Sequence, residues 1–413
     1  MNKFRTGLWL RIAILNLFIV ALLGTLMRYK IGFAFPWFDQ KHLQHAHSHF
    51  AFIGWVTHLL YVLMVHALAR NNPLLKVNKY MWLVIANLLS AYGMLFSFAA
   101  QGYKLVSIIL LCVSVAVSYI FSVYMFSDLR KTGDKPYRSW FTAALWFNII
   151  SSLGTFSLGY MMATHNFDSK IHLASLYYYL HFQYNGFFFF ACMGLLINRF
   201  QQILPGFKAD NRIFWLFFFS CIPAYFLSVL WMKISAWVYV LVVISAIAQV
   251  WAWVMFLRDI KKAGSFIRKG IKLGYTLLLI VGLALSVKFL LQLGSVVPVV
   301  SKMAFGFRSV IIAYLHLILL AIISVFLITY LYLFHFLRIN RTATVAVVLF
   351  VLGVYLNELI LGVQGIASFS YTIIPFTNES LFGASALILL SMGLLFISQW
   401  GGTAITSPAE DKK

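Results

Sequence analysis

The feature that most constrains this chain is a succession of apolar runs, each about twenty residues long or longer, separated by short polar links. Inside a bilayer no water is available to pair with backbone amides, so a run of that length must satisfy its own hydrogen bonds as a helix. Applied along the sequence, this rule predicts segments near 8–27, 48–69, 79–100, 104–126, 139–162, 171–198, 213–232, 235–257, 272–293, 308–335, 342–364 and 382–399. Every proline except Pro223 falls outside these segments, and Pro223 predicts a kink in the seventh. The expected fold is all-α: a polytopic membrane bundle of about twelve transmembrane helices. No link is long enough to hold a soluble domain, so residues 1–413 read as a single membrane domain. No internal repeat or low-complexity tract is evident. Composition agrees, with 62% hydrophobic and only 10% charged residues, against about 25% charged in a soluble domain.

The formal charge of +22 would point to nucleic acid in a soluble protein. Here the basic residues gather in alternate links: Lys3 and Arg5; Arg70, Lys76 and Lys79; Arg130, Lys131, Lys135 and Arg138; Arg199, Lys208 and Arg212; the run Arg258 to Lys272; Arg338 and Arg341; Lys412 and Lys413. By the positive-inside rule these links are cytoplasmic, which puts both termini inside (N-in/C-in). The implied partner is the lipid bilayer, with no nucleic acid. The basic N-terminus precedes an apolar run without a small-residue cleavage site, so that run reads as a first helix rather than a signal peptide. Cys112, Cys192 and Cys221 sit inside apolar runs as small hydrophobes. No Cys-x-x-Cys-His occurs, which excludes covalent c-type haem attachment.

Histidine carries the chemistry. Of eleven histidines, His42, His45, His47 and His49 lie together at the mouth of the second segment. Imidazole in hydrocarbon needs a ligand, a proton partner or water, so such residues are functional candidates. With the orientation above, the cluster is at the outer surface. His181 in the sixth segment and His316 in the tenth lie about 15 Å and about 12 Å below it, at 1.5 Å per residue. Three helices thus bring histidine to the outer half of the membrane. Two axial imidazoles from different helices can hold a low-spin haem of b type, or another haem bound without covalent attachment. His47, His181 and His316 are the leading ligands. His45 and His49 share a face with each other more than with His47, which leaves the ligand within the cluster open. His58 lies about 20° from His47 on the same face and is a proton-path or supporting candidate. His66 reads as a snorkelling side chain, and His42, His165, His172 and His335 as interfacial. Lys288 and Glu358 are buried charges that could meet haem propionates or each other; Lys302 and Arg308 are placed at the outer start of the tenth segment.

This arrangement resembles subunit I of the haem–copper oxidase superfamily, nearest the C-type cytochrome oxidase and nitric-oxide reductase branch. The resemblance rests on about twelve segments with histidine in the second, sixth and tenth, and on the runs His49-Phe50-Ala51-Phe52-Ile53-Gly54-Trp55 and His181-Phe182-Gln183-Tyr184-Asn185-Gly186. It implies a low-spin haem held by His316 and one of His47, His45 or His49. It also implies a copper or non-haem iron at His181, and an oxidoreductase of electron transport and respiration in a bacterial inner (cytoplasmic) membrane. The implied electron donor is a quinol or periplasmic cytochrome, with further membrane subunits as partners. The sequence departs from the family where Tyr314 replaces the first histidine of the helix 10 motif. The seventh segment has no histidine pair, and Tyr184 stands three residues after His181. These departures imply an incomplete binuclear centre. Two other readings follow from the same residues: a haem sensor or assembly factor without turnover, and a transition-metal transporter that captures ions at His42–His49.

Overall fold

Each apolar run forms a helix, because only then are its own carbonyls and amides paired along its length. The computed structural model describes residues 5–72, 75–133, 135–204, 206–263 and 272–400. Lys3, Lys412, Lys413 and the middle of the Arg258–Lys272 run lie outside them. Among the described residues twelve helices are long and apolar enough to cross a membrane. They are α1 (Thr6–Gly32), α2 (Gln40–Asn71), α3 (Asn78–Gln101), α4 (Leu105–Arg130), α5 (Pro136–Thr164), α6 (Ser169–Ile203), α7 (Asn211–Val229), α8 (Ala236–Lys262), α9 (Lys272–Gly294), α10 (Arg308–Leu333), α11 (Arg341–Phe369) and α12 (Thr377–Ser398). A short helix, Pro298–Gly306, precedes α10, and no strand occurs among the described residues. The protein is an all-α, polytopic membrane bundle.

The starts of four helices are set by side-chain caps. Asp39 accepts from the backbone N–H of Lys41 and His42 at 2.8 and 3.0 Å, and Asp168 does the same for Lys170 and Ile171 at α6. Asp210 caps α7 through Arg212 N–H and Asn340 caps α11 through Ala343 N–H. The Asp39 cap corrects the reading of α2: the helix starts at Gln40, eight residues before the expected 48, so the histidine cluster is helical rather than a link at its mouth. Leu43 and Ala46 bury one side of this polar stretch, which is the anchorage that a hydropathy window misses.

The chain divides into two compact units, one of residues 1–125 with 324–413 and one of residues 126–323. Three helices share a feature that the sequence did not announce. Directly after His49, His181 and His316, the winding of α2, α6 and α10 widens from α to π, over Phe50–Thr57, Phe182–Phe188 and Leu317–Ser324. Five residues beyond each histidine stands a small residue: Gly54, Gly186 and Ala321. This histidine-and-wide-turn element recurs once in every four spanning helices, which modifies the expectation of no internal repeat. Residues of different chemistry fill the positions between, so in the sequence the recurrence shows only as a histidine and a small residue five positions on.

A wide turn presents carbonyls that need other donors. In the first unit Asn16 of α1 donates its side-chain amide to Gly54 O, and Asn87 of α3 donates to Ile53 O at 3.2 Å. Tyr92 in turn holds Asn16 through a 2.7 Å hydrogen bond to Oδ1. In the second unit the Gln183 amide reaches Asn148 Oδ1 at 2.8 Å and Ser151 Oγ at 2.7 Å. Gly186 lies hard against α5, where an added Cβ would stand 2.5 Å from Phe147 Cβ. Pro223 changes the winding in the opposite sense: α7 tightens to a 3-10 turn over Tyr225–Val229. Tyr225 N–H then bonds to Ile222 O.

Gly186→Ala should therefore lower the melting temperature in detergent, by an overpacking penalty of about 1–3 kcal/mol. Gly362→Ala, at a site with nothing within 4 Å of the new methyl, should leave it unchanged or slightly raised. Equal effects from the two substitutions would contradict the close α5–α6 approach.

Candidate functional site

The first two and a half turns of α2 send their histidines in two directions. His47 points to α1, with Nδ1 3.1 Å from Val20 O. Gly24 leaves room for it there: a Cβ at that position would lie 3.3 Å from His47 Cε1. His45 and His49 face the other way. The His49 ring stacks on Phe98 at 4.4 Å between centroids with an interplanar angle of 1°, and its Nε2 lies 2.7 Å from Tyr103 Oη. His45 meets Tyr103 edge-on at 4.6 Å. His42 packs against Gly102, whose φ of +64° and lack of a side chain admit the ring. The cluster is thus spread around the helix. Among the described residues no three His, Cys, Asp or Glu side chains come together as a metal site.

Hydrogen bonds to carbonyls assign the tautomers. A carbonyl only accepts, so a ring nitrogen facing one must carry the proton. His47 donates through Nδ1 to Val20 O, and His316 donates through Nδ1 to Ile312 O, one turn earlier in α10, at 2.9 Å. In both, the lone pair is on Nε2, the state in which a carbonyl-oriented imidazole serves as a ligand. His181 has the opposite arrangement. Its Nε2 donates to Cys221 O at 2.9 Å and its Nδ1 accepts from the Asn185 amide at 3.1 Å. The tightening after Pro223 explains the first bond, since Tyr225 N–H pairs with Ile222 O and leaves the Cys221 carbonyl to the imidazole. With both nitrogens engaged, His181 fits a structural role and does not fit the copper or iron site expected for it.

The remaining histidines fall into supporting positions. His58 is buried and bonds through Nε2 to Trp9 O at 3.3 Å. His66 pairs with Thr6 Oγ1 at 3.3 Å. Together with His47, they place three imidazoles of α2 against α1. His165 and His335 stand just beyond the ends of α5 and α10 with left-handed φ of 52° and 57°, and His172 packs on Phe167 in the first turn of α6.

Other candidates separate by unit. Tyr314 lies within electrostatic range of Tyr184, which bonds to Ser228. Lys288 is buried, with Nζ 4.4 Å from the centre of the Phe289 ring and Cys221 and His181 within electrostatic range. No carboxylate among the described residues answers it. Glu358 accepts from Asn357 Nδ2 at 3.1 Å, and Arg28 is its counter-charge. Arg308 and Lys302 are exposed, at the first residue of α10 and on the short helix before it. Sequence reasoning missed Asn16, Asn87 and Tyr92, which brace the wide turn after His49. The recurring small residue at Gly54 and Gly186 was the signal that could have found them.

No protein-family model matches the chain, and no curated protein matches it.

Two measurements test this geometry. His181→Phe leaves the Cys221 carbonyl and the Asn185 amide without their partner, and should reduce stability by about 1–3 kcal/mol, read as a fall in melting temperature. The Asp39 carboxyl is held below its ordinary value by the backbone N–H bonds of His42 and Lys41. Its folded value is depressed, so its stabilisation is present above pH of about 4 and disappears as the pH falls through the folded value. Protection from hydrogen exchange at the start of α2, taken relative to the intrinsic amide rate at each pH, should fall in that range, and Asp39→Ala should show the low protection already at neutral pH. Wild-type protection retained in Asp39→Ala, or protection that does not change with pH in the wild type, would contradict the cap.

Proposed function

We propose that this chain is a haem-binding integral membrane protein of the electron-transfer type, with His47 and His316 as axial ligands of a haem bound without covalent attachment. The observation that carries the reading is the shared Nδ1–carbonyl bond, His47 to Val20 and His316 to Ile312. It holds each ring in one tautomer and one rotamer, and it raises the basicity of the Nε2 offered to iron. Bound haem supplies a one-electron centre. The protein's own part is to fix the two imidazoles, to exclude water with apolar helix faces, and to offer cations to the propionates. Lys288, without a carboxylate among the described residues, and the exposed Arg308 are the residues for that last task, and Tyr314 is the polar neighbour of His316 along α10.

The engaged state of His181 supports a protein with one haem rather than a gas-reducing binuclear centre, and no step is assigned to copper or iron there. On this reading electrons come from a quinol or a periplasmic cytochrome, through partner membrane subunits, in a bacterial inner membrane. A haem sensor or assembly factor would share the ligands and differ in having no such donor.

Purified protein from cells supplied with a haem precursor should show a sharp Soret band and split reduced peaks. His47→Ala and His316→Ala should each abolish the low-spin spectrum, and His181→Ala should keep it. A colourless protein, or a low-spin spectrum that survives both ligand substitutions, would overturn the proposal.

A further inference from the structure

The end of α4 and the start of α5 enclose a cavity of about 120 Å³, lined by Phe126, Leu129, Arg130, Arg138, Thr142 and Trp146. By volume it holds about four waters, which is room for a phosphate and not for a whole lipid. Its charge is one-sided. Arg130 is exposed and makes no hydrogen bond or ion pair among the described residues. Arg138 is held over the cavity by its Nη1 donating to Gly133 O at 3.3 Å, where Gly133 turns the chain at φ +71°. Among the described residues no carboxylate lines the cavity. The nearby Asp128 is buried and pairs with Lys131 at 3.2 Å. The opposite wall is apolar. Phe126 and Trp146 pack at 5.2 Å between centroids, and Trp146 is 51% exposed on the helix surface that would face lipid.

Guanidinium forks match phosphate oxygens in geometry and charge. Tryptophan beside a basic cluster marks the depth where headgroup meets acyl chain. The basic α4–α5 link belongs to the cytoplasmic set, and the cytoplasmic leaflet is where anionic lipids attract such clusters. We infer that Arg130 and Arg138 hold the headgroup phosphate of an anionic phospholipid whose acyl chain lies along Phe126 and Trp146. The two arginines supply the preference for net negative charge, and the aromatic pair supplies the preference for a lipid over a free anion. This site is independent of the haem reading.

The test is native mass spectrometry of the delipidated full chain, titrated with phosphatidylglycerol, phosphatidylcholine or inorganic phosphate. The wild type should retain phosphatidylglycerol over phosphatidylcholine by roughly tenfold, in line with two interfacial arginines. Arg130→Gln/Arg138→Gln should lose that preference, and the single Arg130→Gln, at an exposed position, should reduce it. Trp146→Ala should weaken retention of both lipids. Equal retention of the two lipids by the wild type, or a preference unchanged in both arginine variants, would overturn the inference. Binding of inorganic phosphate as tight as that of phosphatidylglycerol would also overturn it and leave a free-anion site.

Discussion

A carbonyl in hydrocarbon without a donor costs several kcal/mol, and much of the interior chemistry here answers that constraint. At two of the departures from regular α winding, polar side chains take the released oxygens. Asn16 and Asn87 do so at the wide turn of α2, and His181 does so at the tightened end of α7. The unusual polar residues of the spanning helices are therefore tied to the unusual backbone. Removing either without the other leaves a buried group unpaired.

The same constraint explains why histidines alike in sequence differ in chemistry. An imidazole has two nitrogens, and the one that meets a carbonyl keeps the proton. At His47 and His316 that nitrogen is Nδ1, so the far end of the ring carries the lone pair. At His181 it is Nε2, and the lone pair turns back to Asn185 on its own helix. Which nitrogen of each ring keeps the proton is thus decided by which carbonyl lies within reach. Position along the helix contributes little: all three rings stand at or just before the start of a wide turn.

All twelve spans were legible in the apolar runs, because hydrocarbon demands helices of that length. The early start of α2 was not legible, since the stretch from Gln40 to His49 is polar and is held by the Asp39 cap and two buried apolar residues. The division of His47 from His45 and His49 could be read from helical angles, since those angles follow from residue numbers alone. What each face meets could not be read. Val20 O, Phe98 and Tyr103 are tertiary neighbours that leave no local mark in α2. The wide turns were hidden for the same reason. Backbone winding is chosen by packing against Asn16, Asn87 and Phe147, and a single sequence shows only the small residues that permit it.

The central claim is that His47 and His316 present Nε2, and nitrogen-15 NMR of histidine-labelled protein prepared without haem tests it most directly. Resonances are assigned by loss of signal on replacing one histidine at a time. The account predicts a proton on Nδ1 for His47 and His316, and on Nε2 for His181. A proton on Nε2 at either His47 or His316 would contradict it.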